Sequence, residues 1–227
     1  MISEKKTPRL LGVFFLIVIL TSLSSGLLLQ SAVGQGSISD ILVSISEHKT
    51  IFRFSILIEM FTAFGIIILA SLLYIVLHKQ NKILALIAFG WWLAEGITLL
   101  ISKMGTLALI PLSRKFIEEG ASESSIFQAL GDFLYYGFDR QGYSLHMWFY
   151  CLGGILWYYL FFKSKYIPRV ISLFGIIAVS LSLGGLGFLL FGFNVPIFIS
   201  IPILPFELAI GFWLLIKGIQ TKSTDFP

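Results

Sequence analysis

Six apolar runs, each about the 20 residues a helix needs to cross a hydrocarbon core of about 30 Å, decide what this chain can become. They cover 10–29, 54–77, 83–110, 145–162, 170–191 and 195–216. The rest of the composition agrees: 57% of residues are hydrophobic, 12% are charged and the mean hydropathy is +0.93, whereas charged residues make up about 25% of a soluble domain. Spans and connections use nearly all 227 residues, which leaves no room for a soluble catalytic or nucleic-acid-binding domain. The expected fold is all-α, one polytopic bundle of six transmembrane helices over 1–227 with two short amphipathic helices in the outer loops.

Lys and Arg concentrate in short cytoplasmic connections. Lys5, Lys6, Arg9, Lys79, Lys82, Lys163, Lys165, Arg169, Lys217 and Lys222 fall on one side. Lys49, Arg53, Arg114, Lys115 and Arg140 fall on the other, with Lys103 near its edge, and are diluted by Asp40, Glu47, Glu118, Glu119, Glu123, Asp132 and Asp139. Both termini are expected in the cytoplasm. The net charge of +4 sets orientation and attraction to anionic lipid, with no basic cluster for nucleic acid. The first run also has features of a secretory signal, but it continues through Gly26 to Leu29, past a signal core of about 7–15 residues, so an uncleaved span is expected. Cys151 is the sole cysteine and can form neither an internal disulfide nor a thiolate metal site, which leaves it a packing role.

In the first large outer connection, Ile38, Ile41, Leu42 and Ile45 recur at helical spacing after Ser37 and Ser39, residues suited to an N-cap. Ile126, Leu130, Phe133 and Leu134 repeat the pattern between Ser122 and Gly137. These helices would be lids or would rest in the interface, with Tyr135, Tyr136 and Tyr143 as belt residues.

Glu59, Glu95 and Glu207 lie within the apolar runs, where a carboxylate is costly and needs a partner, a proton or a function. Glu59 shares a helical face with Ala63, Ala70 and Tyr74, and Glu95 with Ala88, Trp91, Thr98 and Ser102, small and polar neighbours of the kind that face other helices. His146 heads a stripe of Tyr150, Gly153 and Trp157. Glu59, Glu95, His146 and Glu207 are therefore the candidate ligand-binding set around one outward-facing pocket, supported by Arg53, Trp91, Lys103 and Tyr150. The structural alternative pairs Glu59 with Arg53, Lys103 or His146 and leaves the other two carboxyls protonated.

Three prolines interrupt the sixth run. A helix restarting at Pro205 would place Glu207 at its third position, near the positive end of the dipole. Broken helices of this kind build sites in some transporters, while an ordinary kink is satisfied by neighbouring helices. His146 alone supplies neither bis-histidine haem ligation nor a zinc triad, so no metal and no cofactor is expected. Ser180 with Gly184, and Ala178 with Ser182, are spaced for close backbone approach, within the bundle, to a second copy or to a membrane partner.

The chain resembles, over essentially its whole length, the bacterial membrane family catalogued as domain of unknown function four-three-eight-six. The residues that carry the resemblance are Phe52-Arg53, Leu72-Leu73-Tyr74, Asn81 before Leu84-Ala85, Glu95, His146, the loop Lys163-Ser164-Lys165-Tyr166-Ile167-Pro168-Arg169, and Glu207-Leu208 with Gly211, Trp213-Leu214-Leu215 and Lys217-Gly218. Family members often carry an arginine just before the third-span glutamate, where this chain has Trp91 and Trp92. The resemblance implies six helices in a bacterial cytoplasmic membrane and no established reaction.

Three functional classes follow. The first is binding of a small molecule or lipid, of transport or sensing type, in a polar pocket within the membrane. The second is a membrane-embedded enzyme acting on a lipid-like substrate with His146 or a carboxylate as general acid or base, although no nucleophile–base pair is visible. The third is a non-catalytic subunit docking through its small-residue faces.

Overall fold

A computed structural model describes residues 7–121 and 126–220. Lys5, Lys6, Ser122, Glu123 and Lys222, which entered the readings of topology and of the second outer helix, lie outside the described residues. The described chain is all-helical. Its elements are α1 (Thr7–Val33), α2 (Ile38–Glu47), α3 (Lys49–Leu77), α4 (Lys82–Glu118), α5 (Ile126–Asp132), a π-helical segment (Phe133–Arg140), α6 (Gln141–Ser164), α7 (Arg169–Leu190), a 3₁₀ turn (Ile197–Ile199) and α8 (Ile203–Lys217).

Among the described residues five helical stretches, not six, are long and apolar enough to cross a membrane: Thr7–Val33, Lys49–Leu77, Lys82–Glu118, Ile126–Ser164 and Arg169–Leu190. The run expected at 195–216 fails for a physical reason. Pro196 and Pro202 interrupt the backbone ladder, and the continuous helix that follows has 15 residues, about 22 Å at 1.5 Å per residue. That helix starts at Ile203 with Pro202 as its N-cap. Pro205 thus falls in the first turn, where an amide has no intrahelical partner to lose, and Glu207 lies further into the helix than a restart at Pro205 would put it.

Two boundaries also move. The third run continues through Pro111 to Glu118 because its apolar stripe continues: Leu109, Leu112 and Phe116 are all buried. The fourth begins at Ile126, since α5, the π-helical segment and α6 follow one another without a break. The segment expected to form a separate second surface helix is therefore the leading end of a helical stretch long and apolar enough to cross a membrane, and its Ile126, Leu130 and Phe133 are exposed.

The chain forms two compact units, whose boundaries fall inside α1, α3, α4 and α6. One comprises Met1–Ile19, Phe64–Glu95 and Met147–Pro227, the other Leu20–Ala63 and Gly96–His146. The first is dominated by aromatic packing. Trp92 stacks on Tyr150 with centroids 6.0 Å apart and meets Trp157 edge-on at 6.2 Å, and Phe206 meets Tyr158 edge-on at 4.5 Å. A Cβ on Gly12 would lie 2.3 Å from the Leu215 backbone nitrogen, so only glycine allows α1 and α8 this approach. Ala178 and Ser182 are buried here, with Ser182 Oγ donating to Ser200 Oγ at 3.1 Å, while Ser180 and Gly184 are exposed.

Several of the residues that carry the family resemblance hold this unit together. Asn81 Oδ1 caps α4 by accepting from the Leu84 amide at 3.0 Å. Tyr166 accepts from Gln80 Nε2 through its hydroxyl at 3.1 Å and from the Gln220 amide through its carbonyl at 2.8 Å, and Pro168 is the N-cap of α7.

In the second unit α1 ends at Gly34, whose φ of +66° is a left-handed stop that costs glycine little. The next helix starts at Ser37 with a capping box. Its amide donates to Asp40 Oδ2 at 2.8 Å, and the Asp40 amide donates back to Ser37 Oγ at 3.3 Å. The Ser37 hydroxyl, which also donates to Asp40 Oδ2 at 2.7 Å, and the Ser37 amide together hold the Asp40 carboxyl below its ordinary range. The stripe of Ile38, Ile41, Leu42 and Ile45 is buried in a core with Ala32, Phe52, Ile56, Leu109 and Phe116. Ser39, the other residue suited to the cap, lies one turn in and is buried.

Candidate functional site

A cavity of about 430 Å³ opens in the second unit. One wall is a helical stripe of α1: Ser22, Ser25, Gly26, Leu29, Gln30 and Val33, spaced three and four residues apart so that all lie on one face. Gly26 contributes no bulk, and a Cβ there would meet nothing within 4 Å. The other walls carry Glu59 from α3, Lys103 from α4, Tyr135, Asp139 and Arg140 from the π-helical segment, and Tyr143 from α6.

The π-helical segment reaches α4 because two glycines let it. A Cβ on Gly105 would lie 2.6 Å from the Phe138 ring, and one on Gly142 would lie 2.5 Å from Ser102 Cβ. With the backbones this close, Asp139, 2% exposed, accepts from Lys103 Nζ at 2.8 Å and also from Thr106 Oγ1. A buried ion pair survives in an apolar setting when such extra hydrogen bonds satisfy its oxygens. π-Helical turns recur at functional sites, and here the wide turn presents Asp139 and Arg140 side by side.

Glu59 is 6% exposed. Lys103, Asp139 and Ser25 are near enough to act on it electrostatically, although the Ser25 hydroxyl donates to the Ser55 carbonyl at 3.1 Å, and Glu59 makes no ion pair among the described residues. Its expected partners are otherwise engaged. Lys103 holds Asp139. Arg53 is exposed beside a separate shallow depression with Thr50, Phe54 and Leu57. His146 is buried, its Nδ1 donates to the Tyr143 carbonyl, and its ring meets the edge of Tyr143 at 4.4 Å.

Arg140 lines the cavity and is exposed. It donates to the Tyr135 hydroxyl at 2.5 Å and lies 5.0 Å from that ring's centroid. It too makes no ion pair among the described residues.

The remaining candidates belong to the first unit. Glu207 is half-buried, and its Oε1 accepts from the Tyr150 hydroxyl at 2.8 Å. Tyr150 is positioned in turn by Trp92, which stacks on its ring and donates through Nε1 to its carbonyl at 3.1 Å. Glu95 is 3% exposed, and its Oε2 has no hydrogen-bond partner in the described structure. Trp91 stacks on Phe149 at 5.7 Å. In the stripe headed by His146, a Cβ on Gly153 would sit 2.4 Å from Trp92 Cδ1, so that part of the face is packed.

Asp139, Arg140 and Tyr135 were not among the residues expected at the site, because they precede the apolar run that begins at 145. The α1 stripe was missed as well, although its i, i+3, i+4 spacing of serine, glycine and glutamine is visible in the sequence. Among the described residues no group of three His, Cys, Asp or Glu side chains is arranged to hold a metal ion.

No curated protein and no solved structure is detectably similar to the chain. A match to a family model runs over residues 10–218, nearly the whole sequence and including every residue of the cavity, and the chain thus belongs to the family described as Domain of unknown function (DUF4386).

Proposed function

We propose that the protein binds a small polar molecule or a lipid headgroup in the cavity of its second unit, as a step in transport or sensing. The carrying observation is a cavity of about 430 Å³, lined by Glu59, Arg140 and the Lys103–Asp139 pair, among helices long enough to cross a membrane. That volume lies in the range of about 300–1,000 Å³ in which ligand pockets fall. Ionisable groups are retained inside such helices where they pair with one another or serve a ligand. In this reading the membrane is a bacterial cytoplasmic one, the cavity faces away from the cytoplasm, and both termini are cytoplasmic, with the proline-broken segment through the 3₁₀ turn and α8 making the sixth crossing that an even count requires. Glu95 and Glu207 stay outside the proposed site, Glu207 being held by the Tyr150 hydroxyl.

Native mass spectrometry of the gently solubilised protein tests this reading by comparing wild type with Gly26→Leu, which fills the cavity from its open wall, and with Glu59→Gln. A defined small molecule or lipid carried by wild type and lost from both variants is the expected result. Equal occupancy of all three proteins, or none in any, would sink the proposal.

A further inference from the structure

We infer that the ligand of this cavity is zwitterionic, with a primary ammonium group seated on Glu59 and a phosphate or carboxylate on Arg140. The inference rests on the reading of the cavity as a binding site and names the chemistry that fits it. Charge bookkeeping carries the argument. Lys103 and Asp139 neutralise each other at 2.8 Å, and Thr106 further occupies Asp139. Two charges are then left without an ion-pair partner among the described residues, the carboxyl of Glu59 and the guanidinium of Arg140. A purely anionic ligand would leave Glu59 unmatched, and a purely cationic one would leave Arg140 unmatched.

Donor and acceptor geometry sets which end goes where. Glu59 is buried and lines the cavity with Ser25, whose hydroxyl gives its proton to the Ser55 carbonyl and keeps its lone pairs to accept. Ser22 lines the same wall. An ammonium group has three donors for such acceptors. Arg140 is exposed and gives one donor to Tyr135, leaving the rest of its planar fork for the paired oxygens of a phosphate or carboxylate. The ammonium therefore enters first and the anion stays at the mouth. Two sources carry this chemistry, the headgroup of an ethanolamine phospholipid and a free amino-phosphate or amino acid.

The test is a titration of the purified full chain in detergent with phosphatidylethanolamine, phosphatidylglycerol and water-soluble phosphoethanolamine, read by native mass spectrometry. Wild type should prefer the ethanolamine compounds over phosphatidylglycerol by about tenfold or more, the worth of one additional ion pair. Glu59→Gln should erase that preference, whereas Arg140→Gln should weaken all the anion-bearing ligands alike. Capture of the soluble compound marks a free metabolite as the source, and capture of the lipid alone marks a headgroup. Phosphatidylglycerol binding as tightly as phosphatidylethanolamine in wild type would overturn the inference whether or not the variants fold. If that equal binding disappears in Gly26→Leu, the cavity still binds a ligand and only the zwitterion is wrong. If nothing bound responds to Gly26→Leu, the binding-site reading fails with it.

Discussion

The cavity around Glu59 and the aromatic packing around Trp92 and Glu207 treat polar groups inside membrane-length helices in different ways. In the second unit, charges stand at an open space, and glycines and serines form the walls. In the first, Tyr150 and Trp92 are fitted so closely that Gly153 has no room for a methyl group. A polar side chain in an apolar helix therefore does not by itself mark a site. The space beside it separates a side chain that can meet a ligand from one that is tied into packing.

The buried ion pair of the second unit carries the largest expected effect. Lys103→Met leaves Asp139 buried without its cation, a change that costs about 3–5 kcal/mol where it has been measured for such pairs. Chemical or thermal unfolding in detergent should show that loss, with much of it recovered when Asp139→Leu is added. An unchanged midpoint for Lys103→Met would mean that the second unit is wet enough to leave Asp139 solvated. Next come two glycines. Gly153→Ala pushes a Cβ against Trp92 and should cost about 1–3 kcal/mol. By contrast, Gly26→Ala meets open space and should be neutral or stabilising by up to about 1 kcal/mol, as expected for replacing glycine in a helix. Equal penalties at the two positions would erase the contrast.

Thiol labelling gives a third comparison without a change in stability. Cys151 is fully buried in the first unit and should resist a membrane-impermeant maleimide, whereas Gly26→Cys in a Cys151→Ser background should react. The smallest effect is at the α2 cap. Ser37→Ala removes the capping hydroxyl and should weaken the start of the helix by about 1 kcal/mol, visible as faster amide exchange over residues 38–42. Because the folded state holds Asp40 below its ordinary carboxyl range, its stabilisation is present above the unfolded pKa. It is lost as pH falls through the lower folded value. Exchange over the same residues should rise in acid, and Asp40→Asn should flatten that dependence.

How much of this was legible depends on where each signal resides. Spans built from uninterrupted apolar runs could be read directly, as could α2, whose Ser37 cap and Ile38, Ile41, Leu42, Ile45 stripe are local patterns. The run at 195–216 misled because hydropathy averages over Pro196 and Pro202, which contribute little to the average but break the backbone. At the site, Glu59 and Lys103 stood out as charges in or beside apolar runs. Asp139 and Arg140 did not, because their placement depends on two close approaches, Gly105 to Phe138 and Gly142 to Ser102, between residues far apart in the chain. Lys103, one of the three partners that the structural alternative offers Glu59, pairs instead with Asp139, which arrives with the π-helical segment.

That segment also says something about how such a site can change over evolutionary time. A π turn holds more residues than an α turn, so in register it is equivalent to an insertion. Deleting one residue upstream of Asp139 would return the stretch to α spacing and turn Asp139 and Arg140 by about 100° about the helix axis relative to what precedes them. The charges of the cavity could thus be gained or lost in a single-residue length change, with no substitution at any residue that lines it.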